Sequence, residues 1–258
     1  MPNTALITGA SAGLGTEFAR YHAERGGDVI LTARRADALE ALKSELVDAH
    51  GITAHVIALD LGQPGAAEAL HDQVKALGVE IDILINNAGF GGQGAHLGRP
   101  LADEKGMIEL NVMALVTLTH LFGNDMAARG GGHILNVGST AGFGPGPNQA
   151  VYFATKNFVN AYSMAVNHEL LDKGVGVTLL APGYVETEFA KAADLEGTAL
   201  VRSGGASSRD VARFGYDAML KNKLIVINDW KLSFLLNWIA PFLPRRMLLN
   251  TIAKAQAK

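Results

Sequence analysis

The stretch Thr8-Gly9-Ala10-Ser11-Ala12-Gly13-Leu14-Gly15 decides the fold class of this 258-residue chain. It follows the apolar run Ala5-Leu6-Ile7 and leads into a segment of helical period, which predicts a tight turn from a buried strand into a helix. Glycines allow a ligand to approach the backbone closely, and the free N–H groups at the start of a helix attract a pyrophosphate. The spacing is Gly-x3-Gly-x-Gly rather than the general G-x-G-x-x-G, so a turn without a ligand is the alternative.

Short runs rich in Val, Ile and Leu recur between longer segments of helical period along the rest of the chain. This alternation is typical of βαβ units, whose right-handed crossovers build a parallel sheet covered by helices. The predicted strands are residues 4–8, 28–33, 53–59, 81–85, 133–137, 175–180 and 224–227, and the predicted helices are residues 14–25, 37–49, 65–76, 103–129, 151–173 and 209–221. We therefore predict a single-domain α/β fold: a Rossmann-type, doubly wound, parallel seven-stranded sheet with helices on both faces.

The composition excludes several classes of partner. With 48% apolar residues the chain can form one hydrophobic core. Its net charge of −3, without a Lys/Arg-rich run, gives no basic surface for binding nucleic acid. The chain has no cysteine, and its eight histidines are scattered, so we expect neither a disulfide nor a metal site. The first apolar run begins too close to Met1 to form an export signal, which together with the absence of cysteine predicts a cytoplasmic protein.

The end of the second predicted strand reads Leu31-Thr32-Ala33-Arg34-Arg35. An NAD enzyme places an acidic residue near this point for the ribose hydroxyls, whereas here Arg34 and Arg35 can pair with a 2′-phosphate. Asp37, the carboxylate nearby, is better explained as a residue of the first turn of the next helix. The pattern favours NADP over NAD, with a solvated basic pair as the alternative.

Further candidate cofactor-binding residues lie where the third and fourth strands end. Asp60 and Leu61 follow the third strand, and Asn87-Ala88-Gly89 follows the fourth. The carboxyl edge of a Rossmann-type sheet is where such folds bind their ligands. Each residue alone is ordinary for a turn, but together they indicate one cofactor lying across the sheet. In the glycine-rich turn the candidates are Gly9, Ser11, Gly13, Leu14 and Gly15.

Tyr152 and Lys156 are four residues apart at the start of a predicted helix, so they share one helix face. A nearby lysine can lower the pKa of a phenol and prepare it for proton transfer. Ser139, at the end of the fifth strand, can hold a substrate oxygen against Tyr152, and Asn111 can hold a water beside Lys156. A buried aromatic residue next to a surface lysine is the alternative for this pair taken alone.

Taken together, these residues and Pro182-Gly183-x3-Thr187 closely resemble the short-chain dehydrogenase/reductase family over about residues 3–228. The resemblance implies a catalytic tetrad of Asn111, Ser139, Tyr152 and Lys156. It also implies a nicotinamide ribose held by Tyr152 and Lys156, and a carboxamide held near Pro182, Gly183, Val185 and Thr187. By the same analogy, a homodimer or homotetramer would form through the helices predicted at 103–129 and 151–173.

Substrate specificity is expected in two regions. We divide the chain into residues 1–228, the dinucleotide-binding catalytic part, and residues 229–258, a C-terminal extension of the same domain. Residues 188–208 are small, polar and glycine-containing, which fits either a mobile lid or a plain surface loop. The apolar stripe of the extension can cap the substrate pocket or contact a partner subunit; a membrane interface and simple core packing are the alternatives.

The predicted function is an NADP(H)-dependent oxidoreductase that moves a hydride between nicotinamide and a ketone or secondary alcohol, with Tyr152 as proton donor or acceptor. Because Phe90, Phe143, Pro145 and Pro147 are expected in the pocket wall, we expect a small-molecule partner that is an apolar carbonyl or alcohol substrate rather than a small polar acid. The rival functions are a 3-oxoacyl thioester reductase and a non-catalytic NADP-sensing protein. The complete tetrad argues against the sensor.

Overall fold

The computed structural model describes residues 3–257. In chain order the strands are β1 (Thr4–Thr8), β2 (Asp28–Ala33), β3 (Ala54–Ala58), β4 (Ile83–Asn86), β5 (Gly132–Val137), β6 (Val175–Leu180), β7 (Val185–Glu186), β8 (Ala206–Ser207) and β9 (Ile225–Val226). Seven of them form a parallel sheet in the order β3-β2-β1-β4-β5-β6-β9, while β7 and β8 form a separate pair. The predicted Rossmann-type fold with seven parallel strands is confirmed.

The helices are α1 (Gly13–Glu24), α2 (Ala36–His50), α3 (Ala66–Ala76), α4 (Leu101–Ile108), α5 (Leu115–Ala128), α6 (Ala150–Leu170), α7 (Phe189–Ala192), α8 (Ala199–Arg202), α9 (Ser208–Leu220), α10 (Trp230–Phe234) and α11 (Arg245–Gln256). Successive strand residues point to opposite faces of the sheet, so Ile7 and Leu6 belong to different halves of the core. Ile7 packs with residues of α1, α2 and α9, and Leu6 packs with residues of α3 and α5. The core therefore has two layers, one on each sheet face.

The strand order reverses between β1 and β4, because the chain winds outward to β3 and then returns to the other side of β1. Connections leave in opposite directions at this point, which opens a crevice at the carboxyl ends of the two strands. Thr8 ends β1 and Asn87 follows β4, and the Asn87 backbone N–H donates to the Thr8 hydroxyl at 2.9 Å. The glycine-rich turn and the fourth-strand residues are thereby brought to one crevice.

The structure differs from the predicted elements in a few places. The predicted helix 103–129 is a longer helical run, Leu101–Ala128, which contains a π-helical turn at Glu109–Ala114. Segment 188–208 holds α7, α8 and β8, because its alanines and leucines pack together in a small apolar cluster. The third and last strands are two residues shorter than predicted, since strand propensity does not show where backbone pairing ends.

The helical run Leu101–Ala128 is also long and apolar enough to cross a membrane. In the structure, 44% of its most apolar window is buried inside the protein. Leu118, Phe122 and Met126 of this run lie in the core below the sheet. The run therefore serves as a core helix in this fold, and its apolar character is explained by packing.

Candidate active site

A cavity of about 490 Å³ lies at the carboxyl edge of the sheet. The glycine-rich turn and Arg34 line one part of it, and Ser139, Tyr152 and Lys156 line another. Arg34 follows β2 and Ser139 follows β5, three strand positions away in the sheet. At the usual spacing between strands this separates the two residues by about 14 Å. The cavity is thus long enough to hold an extended ligand between a basic residue and a hydroxyl cluster.

The glycines of the turn occupy positions where a side chain would close the crevice. Gly9 has a φ of 67°, and a Cβ there would come 2.8 Å from the Asn87 amide nitrogen. Gly13 has a φ of 57° and faces the Thr187 methyl group at 3.0 Å from such a Cβ. A Cβ on Gly15 would overlap the carbonyl oxygen of Gly9. These residues are therefore required for the close approach of the turn to the segments that contain Asn87 and Thr187.

Thr8 ties the turn to the end of β4. Its hydroxyl accepts hydrogen bonds from the backbone N–H groups of Asn87 and Ala88, both at 2.9 Å. The Asn87 side chain in turn donates to the Thr8 carbonyl at 2.9 Å. Gly9, Gly13, Leu14, Asn87, Ala88 and Gly89 all line the cavity. The pattern that indicated one ligand lying across several strand ends thus corresponds to one continuous surface.

The two arginines after β2 differ in their surroundings. Arg35 donates to the Ser11 carbonyl at 3.0 Å and pairs with Glu188 at 3.2 Å. Arg34 lines the cavity, is exposed, and has no carboxylate within 4.0 Å among residues 3–257. Arg34 is therefore the guanidinium available to an anionic ligand, while Arg35 braces the turn against the segment after β6.

Asp60 and Leu61 do not line this cavity. The Asp60 carboxylate accepts from the Gly62 N–H at 3.1 Å and from the Gln63 amide, so it closes its own turn. The Leu61 side chain is buried in the core beside α3. Their assignment to the cofactor stays a prediction, and any contact from Leu61 has to come from its backbone.

Tyr152 and Lys156 lie on the first turns of α6 and are both buried. Burial raises the pKa of Tyr152 to about 12, while a hydrogen bond with Ser139 acts in the opposite direction. Burial lowers the pKa of Lys156 to about 8. The Lys156 ammonium donates to the Val137 carbonyl at 2.8 Å. At neutral pH the phenol therefore holds its proton, and the lysine beside it is close to its titration range.

Ser139 is held by its own loop. Its hydroxyl accepts from the Ala141 N–H at 3.0 Å, and its carbonyl accepts from the Asn160 amide at 3.1 Å. These bonds fix the hydroxyl at the end of β5, where it contacts Tyr152. The structure thus brings together three of the four predicted catalytic residues in the cavity lining: Ser139, Tyr152 and Lys156.

Asn111 lies just behind this lining, in the π-helical turn Glu109–Ala114. Its amide donates to the Phe90 carbonyl at 2.9 Å and to the Thr155 hydroxyl at 3.1 Å, and its oxygen accepts from the Phe90 N–H at 3.0 Å. A Cβ on Gly89 would lie 3.0 Å from the Asn111 oxygen and 3.7 Å from Lys156 Nζ. Asn111 therefore borders the same glycine as Lys156, and the predicted water between them stays a prediction.

Pro182, Gly183, Val185 and Thr187 follow β6 and line the cavity. Thr140 donates to the Pro182 carbonyl at 2.9 Å, and the Gly183 N–H donates to the Asn228 side chain at 3.2 Å. The segment is therefore anchored on the ends of β5 and β9, at the position expected for the nicotinamide end of a cofactor.

The apolar wall of the cavity differs from the prediction. Phe90 lines it, but Phe143, Pro145 and Pro147 do not. Phe143 instead packs behind α6, and Pro145 is exposed. Leu232 and Leu236, which belong to the apolar stripe of the extension, also line the cavity. The sequence did not single out the other residues of the wall, which are Phe153, Tyr184, Phe189, Leu195, Leu200 and Ile252. Only the packing of the segments after residue 188 brings these residues together.

Two further residues of the cavity lining, Gln149 and Gln256, were not predicted from the sequence. Both are buried in the lining, and the Gln149 amide donates to the Gln256 side chain. Gln93 donates to the Gln256 carbonyl at 3.0 Å. The last turn of α11 is thereby tied to the start of the helix that carries Tyr152. No sequence signal could have found this contact, since the two glutamines are 107 residues apart.

Comparisons with known proteins place this site in a family. Residues 3–196 match the family model described as short chain dehydrogenase. The chain belongs to the short-chain dehydrogenase family. The sulfoacetaldehyde reductase of Chromohalobacter salexigens is 38% identical over 209 residues, which are 80% of this chain and 78% of that protein.

Two solved structures of the family extend the likeness over the whole chain. A short-chain dehydrogenase from Sphingobium yanoikuyae, solved with NADPH, is 30% identical with a TM-score of 0.85; the match covers 100% of this chain and 99% of that one. The bulky-bulky ketone specific alcohol dehydrogenase from Comamonas testosteroni is 28% identical with a TM-score of 0.81, covering 100% and 97%. The predicted class, an oxidoreductase that uses NADP(H), is confirmed by this family membership and by the NADPH-bound relative.

No group of three histidine, aspartate or glutamate side chains that could hold a metal ion occurs in the part of the chain that the structure describes. The residues of the cavity do fit NADP(H). The glycine positions leave room for a backbone-bound pyrophosphate, and the free guanidinium of Arg34 suits a 2′-phosphate.

Proposed function

We propose that this short-chain dehydrogenase is an NADP(H)-dependent carbonyl reductase or alcohol dehydrogenase for bulky, apolar ketones and the matching secondary alcohols. The observation that carries the proposal is the position of the hydroxyls of Tyr152 and Ser139. They lie next to each other in a cavity whose remaining wall is mostly aromatic and aliphatic. The two hydroxyls can hydrogen-bond to the carbonyl oxygen of a ketone, and the apolar wall can contact the rest of a bulky ketone molecule.

The cofactor would be held by the backbone of the turn Gly9–Gly15 and by Arg34. Tyr152 and Lys156 would hold its nicotinamide ribose, and the segment Pro182–Thr187 would hold its carboxamide. When bound, NADPH supplies a hydride for the carbonyl carbon of the substrate. The choice of NADP over NAD rests on Arg34, because its guanidinium lines the cavity and has no acidic partner within residues 3–257.

Tyr152 would give its proton to the substrate oxygen in the reductive direction. Its raised pKa keeps the phenol protonated at neutral pH, so the donor is ready before the reaction. Ser139 would donate a hydrogen bond to the same oxygen and stabilise the charge that develops there. Lys156, whose pKa of about 8 makes it a good proton source, would return a proton to the phenolate.

The lining argues against a small anionic substrate such as the sulfoacetaldehyde of the reductase from Chromohalobacter. Apart from Lys156, the one basic residue that lines the cavity within residues 3–257 is Arg34. It lies about 14 Å from Ser139 by strand spacing. A sulfonate or carboxylate two bonds from the reacting carbonyl would find no guanidinium to pair with, and burying it unpaired is costly. The relative named for bulky ketones agrees better with this wall.

The test is a screen of NADPH consumption by the purified chain. Its arms are bulky aryl and alicyclic ketones, short 2-oxo sulfonates and acids, and β-ketoacyl thioesters. We expect kcat/KM to be at least tenfold higher for the bulky ketones than for the anionic compounds. A preference for the thioesters would support the rival 3-oxoacyl thioester reductase, and binding of NADPH without turnover in any arm would support the sensor.

One further expectation, the oligomeric state, rests on family resemblance. A homodimer or homotetramer through α5 and α6 would cover Met113 and Phe158, which are exposed on the helical run Leu101–Ala128 and on α6. Light scattering should then show a smaller species for Phe158→Glu, whereas an unchanged mass would contradict this interface. A cytoplasmic location stays a prediction.

A further inference from the structure

The C-terminal extension, residues 229–258, has two faces. Leu232 and Leu236, four residues apart, line the cavity. Trp230, Phe234 and Trp238 have the same spacing but are exposed, Trp230 to 75% and Trp238 to 69%. A step of two residues turns a helix by about 200°, so Trp230, Phe234 and Trp238 point away from the cavity. Phe242, which follows Pro241, is 82% exposed. We call Trp230, Phe234, Trp238 and Phe242 the aromatic surface.

Within residues 3–257, four of the six exposed phenylalanine and tryptophan side chains belong to this aromatic surface. Both tryptophans of the protein belong to it. Leu235, Ile239 and Met247 are exposed beside the aromatic residues. A monomeric soluble domain rarely exposes so many large apolar residues in one short segment, and such patches mark binding surfaces.

The charge of the extension points to the kind of partner. Residues 229–258 contain five basic residues and one acidic residue, although the whole chain has a net charge of −3. Lys231, Arg245, Arg246 and Lys254 are exposed, and none of them has a carboxylate within 4.0 Å among the described residues. Two copies meeting at this surface would place like charges opposite each other. An anionic partner is therefore favoured over a second copy.

We propose that the extension is a peripheral membrane-docking surface, which binds anionic lipid headgroups through its basic residues and inserts its aromatic side chains into the interface. Exposed tryptophan and phenylalanine next to lysine and arginine form the combination that holds interfacial helices on lipid. Leu232 and Leu236 lie on the other face of the same helical run, which is formed by α10 and a π-helical turn at Leu235–Ile239, and they line the apolar cavity. Docking would thus bring the cavity wall to the lipid surface, where apolar ketones and alcohols concentrate.

The test uses the full chain and vesicles, with tryptophan fluorescence as the reporter. Because both tryptophans lie on the aromatic surface, a blue shift of emission reports on this surface directly. We expect sedimentation and a blue shift with vesicles of phosphatidylglycerol and phosphatidylcholine, weak binding to phosphatidylcholine alone, and release by salt. Arg245→Gln/Arg246→Gln should weaken binding about fivefold for each charge removed.

Trp238→Ser/Phe242→Ser should lower vesicle binding at least tenfold, while Leu97→Ser, an exposed leucine outside the extension, should leave it unchanged. Equal loss in both variants, or no sedimentation with anionic vesicles, would overturn the proposal. A blue shift that grows with protein concentration without lipid, together with a smaller oligomer in Trp238→Ser/Phe242→Ser, would also overturn it in favour of a second copy. Circular dichroism confirms that each variant is folded.

Discussion

Lys156 lies beside the ring of Tyr152, with its Nζ 6.0 Å from the ring centroid, and donates to the Val137 carbonyl at the end of β5. This contact joins the catalytic helix to the sheet. Both groups are buried, and burial moves their pKa values apart, raising that of the phenol to about 12 and lowering that of the ammonium to about 8. A proton therefore passes favourably from the Lys156 ammonium to a Tyr152 phenolate.

Tyr152→Phe removes the hydroxyl but keeps the buried ring. We expect kcat for ketone reduction to fall by about 10²–10⁴-fold, which is the usual contribution of a positioned acid. NADPH affinity should change much less, as measured by quenching or enhancement of nucleotide fluorescence. Turnover of Tyr152→Phe within tenfold of the wild type would contradict the role of Tyr152 as the proton donor.

The reduction should depend on pH through Lys156. Below pH 8 its side chain is an ammonium that can return a proton to Tyr152; as pH rises through its pKa of about 8, this proton is lost. We therefore expect kcat/KM for reduction to be level below pH 8 and to decline above it. In Lys156→Gln activity should be low and this inflection absent. If the inflection near pH 8 persists in that variant, another group is responsible for it.

Arg34→Gln should weaken the binding of NADPH more than the binding of NADH. A hydrogen bond to a charged group contributes about 1.5–3 kcal/mol, so the NADPH/NADH ratio of kcat/KM should drop at least tenfold. Arg35→Gln is the matched control, because Arg35 is already bonded to Ser11 and Glu188. A larger drop in the control than in Arg34→Gln would reverse the assignment.

Ile252→Trp should narrow the substrate end of the cavity. Ile252 packs beside Tyr152 and Phe153, whereas Met247 on the same helix is exposed. We expect at least a tenfold loss of kcat/KM for the bulkiest ketones and little change for small ones in Ile252→Trp, with both unchanged in Met247→Trp. Steady-state kinetics over a graded ketone series measures this. Uniform losses over the series would indicate damage to the fold instead of a filled pocket.

Much of the fold could be predicted because it depends on local patterns. The short apolar runs, such as Ala5-Leu6-Ile7, and the glycine spacing after β1 are patterns of neighbouring residues. The π-helical turn around Asn111 could not be predicted, since residue propensities do not distinguish a single π-helical turn from the α-helix around it.

The catalytic and cofactor-binding candidates follow from the amino-acid sequence, because the residue types and their spacing carry that chemistry. Tyr152 and Lys156 share a helix face however the helix packs. The absence of an acidic residue at the end of β2 can be read directly from the sequence. The tertiary structure alone decided which arginine is free, which residues form the pocket wall, and where the aromatic residues of the extension point. Those properties arise from contacts between segments far apart in the chain, such as Gln149 with Gln256, and spacing along the sequence does not encode them.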